Sequence, residues 1–187
     1  PEVIGTMGQL SEGAIHLVEC PEDVEKLELK NTDNVAYITQ TTLSLDDTLA
    51  VINALKDKYP SIKDPRKEDI CYATTNRQNA VKELAKEVDL VLIIGATNSS
   101  NSRRLVEVAQ KNGCRSVLIQ RASEINWDLF EDVKNVGISA GASAPEILVE
   151  EVMQAIKSRF KTNVENILTI EENVTFKVPA ILSKDDD

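Results

Sequence analysis

The chain has 187 residues, enough for one substantial hydrophobic core or two small ones. Its formal charge of −10 argues against nucleic acid as a partner, because affinity for phosphate backbones comes from dense Lys and Arg, yet it leaves room for a small phosphorylated ligand. No apolar run approaches the roughly 18 residues that span a bilayer, and the first residues show no secretory pattern, so a soluble intracellular protein with no membrane partner is expected.

Pro1 to Gln9 contains Gly5 and Gly8 without periodicity and reads as loop. Ile15-His16-Leu17-Val18 reads as a short strand, and Pro21-Glu22-Asp23 opens a helix with proline and acids where the helix dipole favours them. His16 is the only histidine. Nothing around it resembles a ligand or catalytic motif, so it reads as structural or exposed. Val35-Ala36-Tyr37-Ile38 suits a buried strand followed by the hydroxyl-rich Thr39-Gln40-Thr41-Thr42. Ser44-Leu45-Asp46-Asp47 is a capping pattern, with Leu45, Leu49, Ile52, Leu55 and Tyr59 predicted along one helical stripe. Strand, loop and helix form half of a βαβ unit, whose ligand crevice lies beyond the strand ends. Pro60 and Pro65, among charged residues between Tyr59 and Glu68, mark the expected boundary between two α/β units, 1–67 and 68–165.

The second unit begins with Glu68-Asp69-Ile70-Cys71-Tyr72-Ala73-Thr74-Thr75-Asn76-Arg77-Gln78. Thr75-x-x-Gln78 reads as a capping box, and Ala80, Val81, Leu84, Ala85 and Val88 give the helix its core face. Cys71 then stands shortly before a helix start, a setting that favours the thiolate able to ligate iron or zinc. A buried inert cysteine is the other reading, and the residues alone leave both open. Cys20, before Pro21, and Cys114, after Asn112-Gly113, read as small structural thiols, and three cysteines so widely spaced form neither a short metal motif nor a disulfide framework.

Leu90-Val91-Leu92-Ile93-Ile94-Gly95 is a continuous apolar run suited to a parallel strand covered on both faces. Ala96-Thr97-Asn98-Ser99-Ser100-Asn101-Ser102 follows, then a helix with Leu105, Val108 and Ala109 inward. Its hydroxyls and amides exceed what capping needs and suggest a phosphate cradle at a helix start. Ser116 to Ile119 is the next strand, Ala122 to Val133 reads as helix, and Trp127 reads as a packing anchor. Val136 to Glu146 repeats the scheme, with Ser143-x-x-Glu146 as a capping box before a helix that buries Leu148, Val152 and Ile156. The starts after Cys71, Gly95 and Gly141 should open on one edge of one sheet. Ile167 to Ile170 and Val174 to Val178 read as extended, 166–187 as a tail packing back on the first unit, and Lys184 to Asp187 as a frayed end.

From Pro1 to about Val178 the chain resembles the LytB-type hydroxymethylbutenyl diphosphate reductases. The resemblance is carried by Pro1-Glu2-Val3-Ile4-Gly5-Thr6-Met7-Gly8, Thr39-Gln40-Thr41-Thr42, the Cys71 loop, Asn98 to Ser102 and Gly141-Ala142-Ser143-Ala144-Pro145, in that order. It implies a trefoil of three α/β domains around a [4Fe–4S] cluster held by three cysteines, with an allylic diphosphate as substrate. It also implies isopentenyl and dimethylallyl diphosphate as products, and a ferredoxin or flavodoxin as electron donor. Carried onto this sequence, Cys71 is a cluster ligand, Glu2 the proton relay, Thr41 the group orienting the substrate hydroxyl, and Ser99, Ser100, Asn101 and Ser143 the diphosphate ligands. The resemblance places the protein in bacterial cytoplasm or plastid stroma. The family's first domain, two further cluster cysteines and its substrate-contacting histidines have no counterpart, so the first unit is expected to lack the front of its sheet and the chain alone to be inactive. A non-enzymatic α/β module that binds a phosphorylated metabolite through the Ser99 and Ser143 loops is the alternative, followed by a plain structural domain.

Overall fold

The computed structural model describes residues 2–66 and 69–170, without the side chain of Glu2. Strands β1 (Leu90–Ile94), β2 (Arg115–Ile119) and β3 (Val136–Ala140) form a parallel sheet in the order β2-β1-β3. Leu90 stands opposite Arg115 and Val136, and Ile94 opposite Ile119 and Ala140. The central strand is buried along its whole length, so its side chains must be covered on both sides. Val91 and Ile93 pack beneath α4 (Tyr72–Glu87) and α5 (Ser100–Lys111), in a cluster with Val81, Ala85, Leu105, Val108 and Ala109. Leu90, Leu92 and Ile94 face the opposite layer, where α6 (Glu146–Arg159) contributes Val152 and Ile156. Each buried Leu, Ile or Val side chain contributes roughly 1.5–3 kcal/mol relative to exposure, so this sandwich is where the fold is held.

Helix ends follow from their residues. Ser99 Oγ accepts from the Ser102 N–H at 3.2 Å and caps α5. The helix stops at Gly113, whose φ of +81° suits glycine, while the Cys114 and Gly113 N–H groups donate to Ala109 and Gln110. Cys114 is buried and donates to Val88 O at 3.3 Å, and burial pushes its thiol up in pKa. It is the structural thiol the sequence predicts.

Residues 2–66 are organised around α2 (Pro21–Lys26) and α3 (Leu45–Lys58), with a small core of Val24, Leu55 and Tyr59. Ser44 caps α3 by accepting from the Asp47 N–H at 3.3 Å, as its spacing predicts. The end of α2 is held from α3: Lys58 Nζ donates to the carbonyls of Val24, Glu25 and Leu27 at 2.9, 2.7 and 2.8 Å, and the Tyr59 hydroxyl also donates to Leu27 O at 2.6 Å.

Several local expectations are corrected. Residues 2–7 form a short helix, α1 (Glu2–Met7), where loop is expected, and its turn closes through the Gly8 N–H on Ile4 O at 3.0 Å. Residues 15–18 are not a strand, and of the strand expected over 35–38 only a parallel bridge between Ala36 and Lys63 forms. Ile38 is 68% exposed: among the described residues no strand covers it. The stripe on α3 is rolled, so that Thr48 and Leu55 are buried with Val51 and Ala54 beside them while Leu49 faces outward. Residues 122–124 and 127–130 are two short 3-10 turns where one helix is expected, separated at Asn126, which accepts from the Asp128 N–H. Trp127 does anchor packing, 5.3 Å from Phe130 and 6.1 Å from Phe160, with Arg159 over its ring. Of the tail, residues 166–170 are irregular and exposed, and Ile167 to Thr169 share a shallow groove with Glu83 and Glu87 of α4. The segments Val174–Val178 and Lys184–Asp187 lie outside the described residues.

Candidate functional site

The loops after β1 and β3 leave neighbouring parallel strands at the same end, so Ser99, Ser100, Asn101 and Ser143 share one edge of the sheet. α4 reaches that edge too. Its last turn places Leu84 against Gly137 near the start of β3, so this sixteen-residue helix, about 24 Å long at 1.5 Å per residue, runs back beyond the roughly 17 Å of strand it covers. Cys71, its N-cap residue, therefore projects at the edge that carries the serine loops.

Cys71 is exposed and its side chain makes no capping bond, which removes the reading of a buried inert thiol. Its N–H donates to Thr41 O at 3.3 Å, bringing two residues thirty positions apart into contact. The Thr41 side chain is exposed. Ser99 is half-buried, and its hydroxyl is engaged by the Ser102 N–H and by the Ser102 hydroxyl at 3.1 Å. Ser100 is exposed at the first helical position. Asn101 is buried and its Oδ1 has no hydrogen-bond partner in the structure. Ser143 is exposed in the turn before α6, and Pro145 occupies the N-cap without a side-chain cap bond, so the expected capping box is not formed and the hydroxyl is not committed to it. Glu2 begins α1, and its side chain lies outside the described residues.

Two residues that the sequence did not place in the site organise this edge. Ser102 is buried where Gly95 and Gly141 leave room for it, and a methyl carbon on Gly95 would stand 2.7 Å from its Cβ. Its signal was the Ser99-x-x-Ser102 spacing. Gln78 is not half of a capping box with Thr75: its side chain is fully buried and bonds Leu43 O and Leu45 N. Arg104 pairs with Glu107 and approaches Asp47 at 3.9 Å.

Among the described residues no three His, Cys, Asp or Glu side chains gather where they could hold a metal ion. Cys20 sits at the start of α2, where Glu22 and then Asp23 affect it and its thiol pKa is raised, and Cys114 lies at the opposite end of the sheet from Cys71. These residues do not by themselves fit a [4Fe–4S] cluster, although Cys71 fits as one ligand of it. No helix among the described residues is long and apolar enough to cross a membrane.

A parallel sheet whose helices start from glycine- and serine-rich loops at one edge, beside an exposed thiol, defines an α/β protein with its polar helix starts gathered at that edge. The family model described as LytB protein matches residues 1–157, and the chain belongs to that family. The 4-hydroxy-3-methylbut-2-enyl diphosphate reductase of Cereibacter sphaeroides is 60% identical over 183 residues, 97% of this chain and 57% of that protein. The 4-hydroxy-3-methylbut-2-enyl diphosphate reductase 2 of Rhodopseudomonas palustris is 52% identical over 99% of this chain and 58% of its own length. In structure the chain is similar to the E-1-hydroxy-2-methyl-but-2-enyl-4-diphosphate reductase from Plasmodium falciparum, with a TM-score of 0.87 and 31% identity over 97% of this chain and 57% of that one. The chain thus spans somewhat more than half the length of these relatives.

Proposed function

We propose that this chain forms the substrate-binding wall of an enzyme that reductively removes the hydroxyl group of 4-hydroxy-3-methylbut-2-enyl diphosphate. Two electrons and two protons enter and water leaves, giving isopentenyl or dimethylallyl diphosphate. The observation that carries this reading is the contact between Cys71 and Thr41 at the edge where the Ser99 and Ser143 loops open. The relatives' names and the spacing of these motifs along the chain support it as well.

In this assignment Ser99, Ser100, Asn101 and Ser143 hold the diphosphate as neutral donors, helped by the start of α5. Preorganised N–H and O–H groups at a helix start bind an anion without clustered arginines, which agrees with the acidic composition. Turning the Asn101 amide over would exchange its unpartnered oxygen for an N–H donor toward the ligand. Thr41 orients the allylic hydroxyl, Glu2 supplies a proton, and the Cys71 thiolate is one ligand of a [4Fe–4S] cluster whose other ligands come from outside the described residues. Electrons arrive from a ferredoxin- or flavodoxin-type donor, the three-domain trefoil is the expected setting, and the chain alone is inactive.

The test is purification of the complete protein without oxygen. It should be brown and contain iron, and Cys71→Ser should lose both colour and iron while remaining folded. A colourless, iron-free complete protein rejects the reading.

A further inference from the structure

Four backbone groups on alternate residues of the 39–45 loop are held by the segment that carries Cys71. Asp69 Oδ2 accepts the Thr39 N–H at 2.8 Å, and the Cys71 N–H donates to Thr41 O at 3.3 Å. Gln78 Nε2 donates to Leu43 O at 2.7 Å, and Gln78 Oε1 accepts the Leu45 N–H at 3.1 Å. The rung between Thr41 and Cys71 is the longest of the four, at the weak end of hydrogen-bond geometry, so the shorter rungs on either side set its register.

Gln78 has 0% exposure on a helix face that also buries Thr74, Val81 and Ala85. An apolar side chain of the same length would fill that volume, so packing does not explain an amide there. What explains it is the pair of backbone groups of the loop, which would otherwise be left without partners in a buried place.

We infer that Gln78 is a positioning residue: by gripping Leu43 and Leu45 it holds the loop so that Thr41 lies against Cys71, with Asp69 fixing the other end. The inference rests on the reading of Thr41 and Cys71 as site residues. Gln78 touches neither substrate nor cluster in this arrangement and acts only through the loop.

The experiment uses the complete protein with Gln78→Met and, separately, Asp69→Ala. Hydrogen exchange is read by mass spectrometry on the peptide containing Cys71, alongside steady-state reduction of the allylic diphosphate. Gln78→Met should speed exchange at Cys71 roughly tenfold, the scale of one hydrogen bond, while the peptide containing Ile93 stays protected. Turnover should fall roughly a hundredfold, as expected when a reacting group is misplaced by about 1 Å. KM for the diphosphate should not change, because the Ser99 and Ser143 loops hang from β1 and β3 rather than from this ladder. Asp69→Ala, at a half-buried position outside the core, should show the same pattern at smaller size and decides the matter if Gln78→Met does not fold. Unchanged exchange at Cys71 in the folded variants overturns the inference, and so does a released loop with unchanged turnover. A wild-type complete protein that reduces no allylic diphosphate overturns the functional reading instead, and the exchange result then still decides whether Gln78 holds the loop.

Discussion

Ser102 packs so closely against Gly95 that a methyl carbon on the glycine would lie 2.7 Å from the serine Cβ. The serine is almost fully buried at the first turn of α5 and cannot retreat. Gly95→Ala must therefore shift backbone, at a cost of about 1–3 kcal/mol of stability. At Gly141 an added carbon would meet the Ser102 hydroxyl, while the serine Cβ stays 3.5 Å away, so rotation of one side chain relieves it. That rotation breaks the bond from Ser102 to the Ser99 hydroxyl. Denaturant midpoints should fall clearly for Gly95→Ala, less for Gly141→Ala, and recover when Gly95→Ala is combined with Ser102→Gly. A wild-type midpoint for Gly95→Ala alone would contradict this close packing of Ser102 on Gly95.

The two serines that begin α5 should separate stability from binding. Ser99 caps the helix, so Ser99→Ala should lower stability by about 0.5–2 kcal/mol and weaken diphosphate binding as well. Ser100 is exposed and caps nothing, so Ser100→Ala should weaken binding with stability nearly unchanged. Calorimetric titration of inorganic diphosphate against both variants, beside their melting curves, reads the two effects apart. Loss of stability in Ser100→Ala of the same size as in Ser99→Ala would contradict the cap assignment.

Tyr37 gives a pH signature for the packing of residues 35–38 against the chain near Asp64. Its hydroxyl donates to Asp64 at 2.6 Å, and partial burial, then the Asp64 carboxylate, push its pKa from 10.0 up to about 12. The neutral phenol is the favoured folded form. Its stabilising contribution is complete below pH 10.0, the ordinary value, and is lost as the pH rises through about 12. Ultraviolet titration of the folded protein should show a tyrosine ionising at about 12, and Asp64→Ala should bring that step down. Lys56 and the same phenol hold Asp64 below its usual range, which agrees with the direction at Tyr37. A step unmoved by Asp64→Ala would assign the shift to burial alone.

How much could be read in advance depended on how local the cause was. The run from Leu90 to Ile94 reads as a doubly covered strand because each of its residues is apolar, and it is buried at every position. The inward faces of α4, α5 and α6 follow from spacing because each helix lays its apolar side chains on the same sheet. Residues 15–18 and 35–38 have the same apolar character, but a strand exists only where another strand accepts its hydrogen bonds, and a run of four residues does not state its partner. The same limit misassigned the capping boxes. Gln78 has the right spacing from Thr75 but finds better partners on a distant loop, and Ser143 lies two residues before the actual N-cap.

The order and chemistry of the motifs, the parallel α/β character of residues 68–165 and the acidic composition were determined by sequence alone, since each depends on residue type and on neighbours a few positions away. Only the tertiary structure decided that Cys71 meets Thr41, that Ser102 fills the hollow between Gly95 and Gly141, and that the buried Gln78 grips the chain before α3. Those contacts join residues thirty or more positions apart, or, at Ser102, the start of a helix with the ends of two strands. Their energies come from burial and from satisfying polar groups that have no partner until the chain has folded.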